Sequence, residues 1–309
     1  MESSRLRRAQ GSESGGVSLK ITGKTRLVGI IGDPVAHSLS PLMHNAAYQA
    51  MDLDMCYVPF RVDSADLSAA VDGMKAMNLT GLNVTIPHKI NVASLVDRLD
   101  SAAARLGAVN TIVNKGGSLV GYNTDGAGFI RAIEEKAVLD YGALSVLIFG
   151  AGGAARAIGL ALADKGVKAV NIVNRSRDRG VDFRDMLLGE FPGLPVTVRE
   201  LNDDYDDLVS TSKLVVNATS VGMEGRLKGI SFTVDRISKD HMVCDVVYTT
   251  GETPLLIAAG EHGATTLGGL GMLLHQGAEA IRLWSGQEPP LQVMRLAIEP
   301  ERTDIQKEP

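Results

Sequence analysis

The chain has 309 residues, which is long enough for two domains that each bury a core of their own. A formal charge of −5 and an aromatic content of 4% argue against a general nucleic-acid-binding or membrane-surface protein. The two cysteines, Cys56 and Cys244, stand in apolar, strand-like surroundings without metal-ligand spacing. The composition therefore predicts a cytoplasmic protein with reduced core cysteines, no metal site, and no nucleic-acid or membrane partner.

The first 25 residues are rich in Ser, Gly and Arg and show no apolar periodicity, which is typical of a mobile tail. Glu2 and Glu13 interrupt the basic character that transit peptides usually keep, so a targeting segment is the less favoured interpretation. A short apolar strand at residues 27–31 opens the first structural unit.

A serine-rich turn follows this strand and introduces the first helix. Ser40 before Pro41 is a strong helix-start signal, with serine as the cap and proline at the first helical position. The hydroxyls of Ser38 and Ser40, next to the free N–H groups of a helix start, would form a carboxylate-binding site. The alternative is that Ser40 only caps the helix and Ser38 only turns the chain.

Residues 81–86 alternate apolar and polar side chains, which is the period-two pattern of a half-buried strand. Pro87 stops this strand and suits the first turn of a helix, which we predict from residue 88 to about residue 99. Lys89 would then lie at a helix N-terminus, just beyond the sheet edge where open α/β folds bind ligands. The helix dipole disfavours a positive charge there and loosens the ammonium proton, which suits an acid–base catalyst. A solvated surface lysine is the alternative.

Strands and helices alternate on both sides of this segment, which predicts a parallel sheet with right-handed crossovers. The predicted elements are a strand at 56–62, helices at 65–77 and 101–106, and a hairpin turn at 114–117. Asp125 opens the next helix, where an aspartate is most often only a cap.

A second unit begins with a continuous apolar strand at residues 144–149, which runs into the pattern G-x-G-x-x-A and a further helix. Between a strand and a helix, this glycine pattern becomes a dinucleotide-binding fingerprint. Gly150 permits the tight turn, Gly152 lets the backbone approach a pyrophosphate, and Ala155 lets the helix pack closely. The sequence therefore predicts a bound nucleotide here.

The next strand, residues 169–173, ends where an NAD-specific protein carries an acidic residue for the ribose hydroxyls. Asn174 stands there instead, and three arginines follow within residues 175–179. Arginine can hold a 2′-phosphate through paired, charge-assisted hydrogen bonds, so NADP is favoured over NAD. Asp178 and Asp182 keep NAD open, and a solvated helix face is the alternative interpretation of the arginines.

The remaining strands are predicted at residues 196–198, 213–217, 242–246 and 265–267, with a helix at 254–261. Glycines at positions 268, 269 and 271 then lead into a last helix that ends near Trp284. So many glycines suit a hinge or a close approach to a cofactor.

Several motifs, in this order and spacing, resemble those of the shikimate dehydrogenase family, which includes the quinate/shikimate dehydrogenases. The resemblance runs from about residue 20 to residue 298, and His88 and the N-terminal extension depart from the commonest bacterial pattern without removing a functional group. The motifs are HSLSP (37–41), NVTIPHK (83–89), GAVNT (107–111), NTDG (123–126), GAGGA (150–154), NATS (217–220) and GLGM (269–272) with Gln276.

The resemblance implies an α/β protein of two domains with the active site in the cleft between them. Residues 26–124 and 274–309 would form a substrate-binding domain with a mostly parallel sheet. Residues 125–273 would form a Rossmann-like, doubly wound NADP-binding domain. The implied reaction is the reversible, NADPH-dependent reduction of 3-dehydroshikimate to shikimate, in aromatic amino acid biosynthesis, by a monomer or homodimer.

The resemblance also implies roles for individual residues, with Lys89 and Asp125 as the catalytic pair, both of them touching the substrate. The other residues that match the family's substrate contacts are Ser38, Ser40, Asn83, Thr85, Asn110, Tyr248 and Gln276. The residues that match its cofactor contacts are Gly150, Ala151, Gly152, Gly153, Ala154, Asn174, Arg175, Ser176, Arg179, Thr219, Ser220, Val246, Gly269 and Met272.

Other functions share most of these motifs. A quinate dehydrogenase using NAD is the nearest, and the two serines at 38 and 40 favour shikimate over it. A paralogue acting on an amino-substituted ring and a non-catalytic dinucleotide-sensing paralogue are further alternatives. The presence of both Lys89 and Asp125 speaks against the last.

Overall fold

The computed structural model describes residues 21–222, 234–248 and 251–299. Within these ranges, twelve strands form two six-stranded sheets. Most of the predicted N-terminal tail (residues 1–20) and the last ten residues of the predicted substrate-binding domain (300–309) lie outside the described residues.

The first sheet is built from the strands that precede residue 123. They are β1 (Arg26–Gly32), β2 (Met55–Arg61), β3 (Gly81–Val84), β4 (Arg98–Leu99), β5 (Thr111–Lys115) and β6 (Ser118–Tyr122). Their order is β2-β1-β3-β5-β6-β4, and only β5 runs antiparallel to its neighbours. The predicted mostly parallel sheet is confirmed. The predicted hairpin turn, which joins β5 to β6, accounts for one of the two antiparallel pairings.

Helices from both ends of the chain cover the first sheet. They are α1 (Ser40–Ala50), α2 (Leu67–Ala76), α3 (Ser101–Leu106), α9 (Gly269–Ser285) and α10 (Leu291–Ile298). Met43 of α1 and Leu274 of α9 share a core with Tyr57 of β2. Trp284 fixes the end of α9 because its Nε1 donates to the carbonyl of Ile112, 3.0 Å away.

The second sheet is entirely parallel and carries helices on both faces. Its strands are β7 (Ser145–Phe149), β8 (Ala169–Asn174), β9 (Val196–Glu200), β10 (Leu214–Asn217), β11 (Met242–Asp245) and β12 (Thr265–Gly268). Its helices are α4 (Asp125–Lys136), α5 (Gly153–Asp164), α6 (Arg177–Glu190), α7 (Asp206–Thr211) and α8 (Pro254–Glu261). The strand order β12-β11-β10-β7-β8-β9 is the predicted doubly wound arrangement.

The continuously apolar sequence of strand β7 is explained by its burial on both faces of the sheet. Val146 and Ile148 belong to the core shared with α4 and α5, whereas Leu147 and Phe149 belong to the core shared with α7 and α8. A parallel strand that is buried on both faces carries apolar residues at every position rather than at alternate ones. From β7 the chain adds β8 and β9 on one side and then crosses to add β10, β11 and β12 on the other side. In folds of this kind, ligands bind at the carboxyl ends of the strands where the direction of winding changes, which here is between β7 and β10.

The helix predicted from residue 88 to about residue 99 is wrong. A single 3₁₀ turn (Asn91–Ser94) and the short strand β4 occupy this segment. Contacts with distant parts of the chain hold it out of a helix: the carbonyl of Lys89 accepts from the N–H of Val109, and Arg98 pairs with Val120 of β6. Lys89 therefore does not lie at the start of a helix formed by its own segment, and the predicted effect of such a helix dipole on its ammonium group is wrong.

Both cysteines are free and buried, as predicted. Across residues 21–222, 234–248 and 251–299, no helix has the length and apolar character needed to cross a membrane.

Candidate active site

Lys89 and Asp125 form an ion pair at the carboxyl edge of the first sheet. The Lys89 Nζ atom lies 2.6 Å from the Asp125 Oδ2 atom, and the two side chains are 20% and 6% exposed. Asp125 is the first residue of α4, where the positive end of the helix dipole favours a carboxylate. The capping alternative for Asp125 is wrong because the start of α4 has no side-chain cap hydrogen bond.

Asn110 fixes the orientation of the Asp125 carboxylate. Its Nδ2 donates to Asp125 Oδ1 at 2.8 Å and to Thr124 Oγ1 at 2.9 Å, and its Oδ1 accepts from the backbone N–H of Thr124 at 2.9 Å. Because that N–H needs an acceptor, the amide of Asn110 has only one workable orientation. Both carboxylate oxygens are thus held, one by Asn110 and one by Lys89.

Asn83 supports Asn110 from the neighbouring strand β3. Its Nδ2 donates to the Asn110 carbonyl at 3.2 Å and to Thr111 Oγ1 at 2.9 Å, while its Oδ1 accepts from the hydroxyl of Tyr57 at 2.8 Å. Both amide protons of Asn83 are therefore directed at the protein. Only its Oδ1 atom has capacity left for a ligand.

The two serines lie at the start of α1, and the prediction that Ser40 caps this helix is wrong. Leu39 occupies the flanking position without a side-chain hydrogen bond, and Ser40 is the first helical residue. The Ser38 Oγ accepts from the N–H of Ser40 at 3.3 Å, while the buried hydroxyl of Ser40 faces Tyr57.

Gln276 brings helix α9 to the same cluster. Its Oε1 lies 3.5 Å from Asn110 Nδ2, and its backbone carbonyl accepts from Thr124 Oγ1 at 3.2 Å. The other two predicted substrate contacts, Thr85 and Tyr248, make no side-chain hydrogen bond within the part of the chain that the structure describes. Tyr248 follows β11 and is 38% exposed.

The glycine loop lies where β7 passes into α5. Gly150 has φ +110°, and a Cβ there would come within 3.0 Å of the Ala218 carbonyl, beyond the neighbouring strand β10. Gly152 precedes α5 without a side-chain cap, and a Cβ there would meet no atom within 4 Å. The free N–H groups at the start of α5 therefore lie beside open space at Gly152, whereas Ala151 is buried and Gly153 and Ala154 are half-buried. This arrangement fits a dinucleotide pyrophosphate.

Lys89 lies between the polar cluster around Asp125 and the glycine loop. A Cβ at Gly153 would lie 3.9 Å from the Lys89 Cδ atom, so the stem of the lysine runs beside the glycine loop. The ion pair and the candidate pyrophosphate loop therefore lie next to each other.

The residues predicted to hold the adenosine phosphate follow β8. Asn174 ends this strand, and its Nδ2 donates to the Ser176 carbonyl at 2.8 Å, which shapes the turn. Arg175 and Arg179 are exposed, and neither forms an ion pair within residues 21–222, 234–248 and 251–299. Their guanidinium groups are thus free to meet a phosphate.

The residues predicted at the nicotinamide end follow β10, β11 and β12. Thr219 and Ser220 come directly after β10, and the Thr219 hydroxyl donates to Asn217 Oδ1 at 2.7 Å. Gly269 lies against the carbonyl of Val246, which leaves no room for a Cβ. Helix α9 begins at Gly269 and includes Met272, and the close approach of Gly269 is to the backbone that follows β11. The predicted hinge and the predicted approach to a cofactor stay predictions.

Three residues of the cluster were not predicted as site residues, namely Tyr57, Thr111 and Thr124. Thr111 lies in the motif GAVNT and Thr124 in the motif NTDG, so the sequence does carry a signal for these two residues. Tyr57 lies in an ordinary apolar strand and carries no such signal. The structure has no cluster of three or more His, Cys, Asp or Glu side chains placed to bind a metal ion among the residues it describes.

Three family models match this chain. The shikimate dehydrogenase substrate-binding domain matches residues 30–112, the shikimate/quinate 5-dehydrogenase model residues 133–223, and the shikimate 5′-dehydrogenase C-terminal domain residues 269–299. Together they cover more than half of the sequence. The chain belongs to the shikimate dehydrogenase family.

Known members of this family resemble the chain over nearly its whole length. The shikimate dehydrogenase (NADP(+)) of Geobacter metallireducens is 46% identical over 283 residues, which are 90% of this chain and 97% of that enzyme. The crystal structure of a shikimate dehydrogenase in complex with NADP+ has a TM-score of 0.84 and 38% identity, covering 92% of this chain and 98% of that one. These matches confirm the predicted family, enzyme class and fold.

A family member of different specificity is also similar. The quinate dehydrogenase from Corynebacterium glutamicum, solved in complex with NAD, has a TM-score of 0.81 and 35% identity, covering 88% of this chain and 98% of that one. The overall fold thus does not distinguish shikimate from quinate enzymes.

Proposed function

We propose that this chain catalyses the reversible, NADPH-dependent reduction of the C3 carbonyl of 3-dehydroshikimate to shikimate. The observation that carries this proposal is the Lys89–Asp125 pair beside the glycine loop at Gly153. An acid–base group next to a dinucleotide site is what reduction of a ketone requires.

In the proposed reaction, bound NADPH supplies the hydride. Lys89 gives a proton to the oxygen that becomes the new hydroxyl, and it takes that proton back in the reverse direction. Asp125 holds the ammonium group and accepts a hydrogen bond from the same region of the substrate. Asn110 keeps the carboxylate in place, so that the acid is oriented before the substrate arrives.

The substrate would lie between the two serines and the ion pair. The hydroxyls of Ser38 and Ser40 would bind its carboxylate. Asn83, Thr85, Asn110 and Gln276 would surround its ring hydroxyls, and Tyr248 would close the carboxylate side.

The cofactor would lie along the carboxyl edge of the second sheet. The glycine loop would bind the pyrophosphate, and Asn174, Arg175, Ser176 and Arg179 the adenosine phosphate. Thr219, Ser220, Val246, Gly269 and Met272 would approach the nicotinamide.

The division of labour follows the two sheets. We propose that residues 26–124 and 274–309 form the substrate-binding domain and that residues 125–273 form the NADP-binding domain. The free, buried cysteines favour a cytoplasmic location. A monomer or homodimer suffices, because the described chain supplies every residue of the proposed site.

Quinate oxidation with NAD is the second candidate function. It is favoured by the similarity to the quinate dehydrogenase bound to NAD and by Asp178 among the arginines after β8. An acidic residue near the ribose is the usual determinant of NAD binding.

Steady-state kinetics with both polyols and both cofactors test the proposal. We expect the highest kcat/KM for shikimate with NADP+. A higher kcat/KM for quinate with NAD+ would support the second candidate, and cofactor binding without oxidation of either polyol would contradict both.

A further inference from the structure

We propose that Tyr57 is a positioning residue, whose hydroxyl orients Asn83 and through it the Asn110–Asp125 end of the active site. The inference rests on the proposed function, since it concerns how the acid–base pair is held in place. Tyr57 is only 1% exposed, and its hydroxyl donates to Asn83 Oδ1 at 2.8 Å. It is therefore out of reach of a substrate and acts through other side chains.

The direction of this hydrogen bond follows from its neighbours. The Asn110 carbonyl can only accept, so the Asn83 atom beside it is the donor Nδ2. The opposite atom, Oδ1, then faces Tyr57 and must accept, which makes the phenol the donor. Without the phenol hydroxyl, Asn83 Oδ1 loses its hydrogen-bond donor, and only the contacts of Nδ2 with the Asn110 carbonyl and Thr111 still hold the amide.

A continuous set of hydrogen bonds runs from Tyr57 to the ion pair. Asn83 Nδ2 donates to Thr111 Oγ1, and that hydroxyl donates to Asn110 Oδ1 at 3.0 Å. Asn110 Nδ2 then donates to Asp125 Oδ1. Every one of these side chains is buried, so water cannot readily replace a lost partner.

The ring of Tyr57 is held independently of its hydroxyl. It stacks on the imidazole of His44 with a centroid distance of 4.1 Å and an interplanar angle of 19°, and it packs near Trp284. Replacing tyrosine by phenylalanine keeps this packing and removes only the hydroxyl. The substitution therefore separates the positioning role from a packing role.

Tyr48 provides a matched control. It is a second buried tyrosine of the same core, and its hydroxyl has no hydrogen-bond partner among the described residues. Tyr48→Phe removes the same atom from the same core without touching the hydrogen bonds to Asp125.

The test compares kcat and KM for shikimate, the KM for NADP+ and the melting temperature in the wild type, Tyr57→Phe and Tyr48→Phe. We expect Tyr57→Phe to lower kcat about tenfold, the size of one lost hydrogen bond, and to leave the KM for NADP+ within about twofold. Tyr48→Phe should leave both constants unchanged. A merely structural role would lower the melting temperature and leave kcat per folded enzyme unaltered.

A double-mutant cycle with Asn83→Ala identifies the route. If Tyr57 acts through Asn83, Tyr57→Phe causes no further loss of kcat in the Asn83→Ala background, whereas additive losses would contradict this route. If Asn83→Ala does not fold, the single substitution decides. A kcat for Tyr57→Phe within twofold of the wild type overturns the inference. The proposed function is tested separately, by the activity of the wild type with shikimate and NADP+ compared with quinate and NAD+.

Discussion

Lys89 and Asp125 are 36 positions apart in the sequence, yet their side chains meet at 2.6 Å. The lysine comes from the turn after β3 and the aspartate from the first residue of α4, which packs against α9. Each group compensates the charge of the other in a largely buried position, so removing one leaves the other unpaired. The pair therefore depends on the folded arrangement of three separate segments.

Asp125→Asn should lower the turnover of shikimate by roughly 10²–10⁴-fold, the usual size of an acid–base contribution. The amide keeps the shape of the side chain but cannot hold the ammonium of Lys89 by charge. Steady-state kinetics check this, with Asp97→Asn as the control because Asp97 forms a similar pair with Lys75 on the surface. Equal turnover in the two variants would contradict the assignment of Asp125.

Arg175→Ala combined with Arg179→Ala should raise the KM for NADP+ by about 10–100-fold, because charge-assisted hydrogen bonds to the 2′-phosphate are lost. The KM for NAD+, which lacks that phosphate, should not change. Arg184→Ala is the control, since Arg184 lies on the same helix as Arg179 and pairs with Asp185. If the KM for NAD+ rises as much as the KM for NADP+, the arginines do not bind the 2′-phosphate.

Gly150→Ala should destabilise the protein by about 1–3 kcal/mol, because φ +110° is strained for any residue with a Cβ. The displaced loop should also bind NADP+ more weakly. Gly189→Ala, within α6 and with no atom within 4 Å of its Cβ, should instead stabilise the protein by about 0.5–1 kcal/mol. Urea unfolding and a cofactor titration measure both effects, and equal stability of the two variants would refute the strain argument.

The protein should lose stability as the pH falls from about 6.5 to 4. Burial lowers the pKa of His44 to about 4, so the folded state keeps this imidazole neutral while the unfolded state takes up a proton. The loss attributable to His44 should reach about 3 kcal/mol at the lower end.

Urea unfolding between pH 7 and pH 4 measures this dependence. His44→Asn should flatten the curve relative to the wild type, because asparagine does not titrate. His262→Asn is the control, since His262 is exposed and should leave the slope unchanged. An unaltered slope in His44→Asn would show that another group causes the acid sensitivity.

The second sheet was predictable from sequence because its central strands, β7, β10 and β11, are buried on both faces and read as short apolar runs between turn signals. The segment after Pro87 was not, because hydrogen bonds to Val109 and pairing with Val120 override its local helix signals. Motifs located Lys89 and Asp125, but Tyr57 depends on a partner that lies 26 residues away on β3, which β1 separates from β2 in the sheet. Such a contact leaves no pattern in the local sequence.

The most direct test of the acid–base assignment is the turnover of shikimate with NADP+ by Lys89→Ala, with Lys75→Ala as the control from the surface pair with Asp97. NADP+ affinity, measured by titration, shows that the cofactor site remains intact. We expect Lys89→Ala to lose roughly 10²–10⁴-fold in kcat while it binds NADP+ normally. A kcat close to that of Lys75→Ala would contradict the proposed role of the Lys89–Asp125 pair.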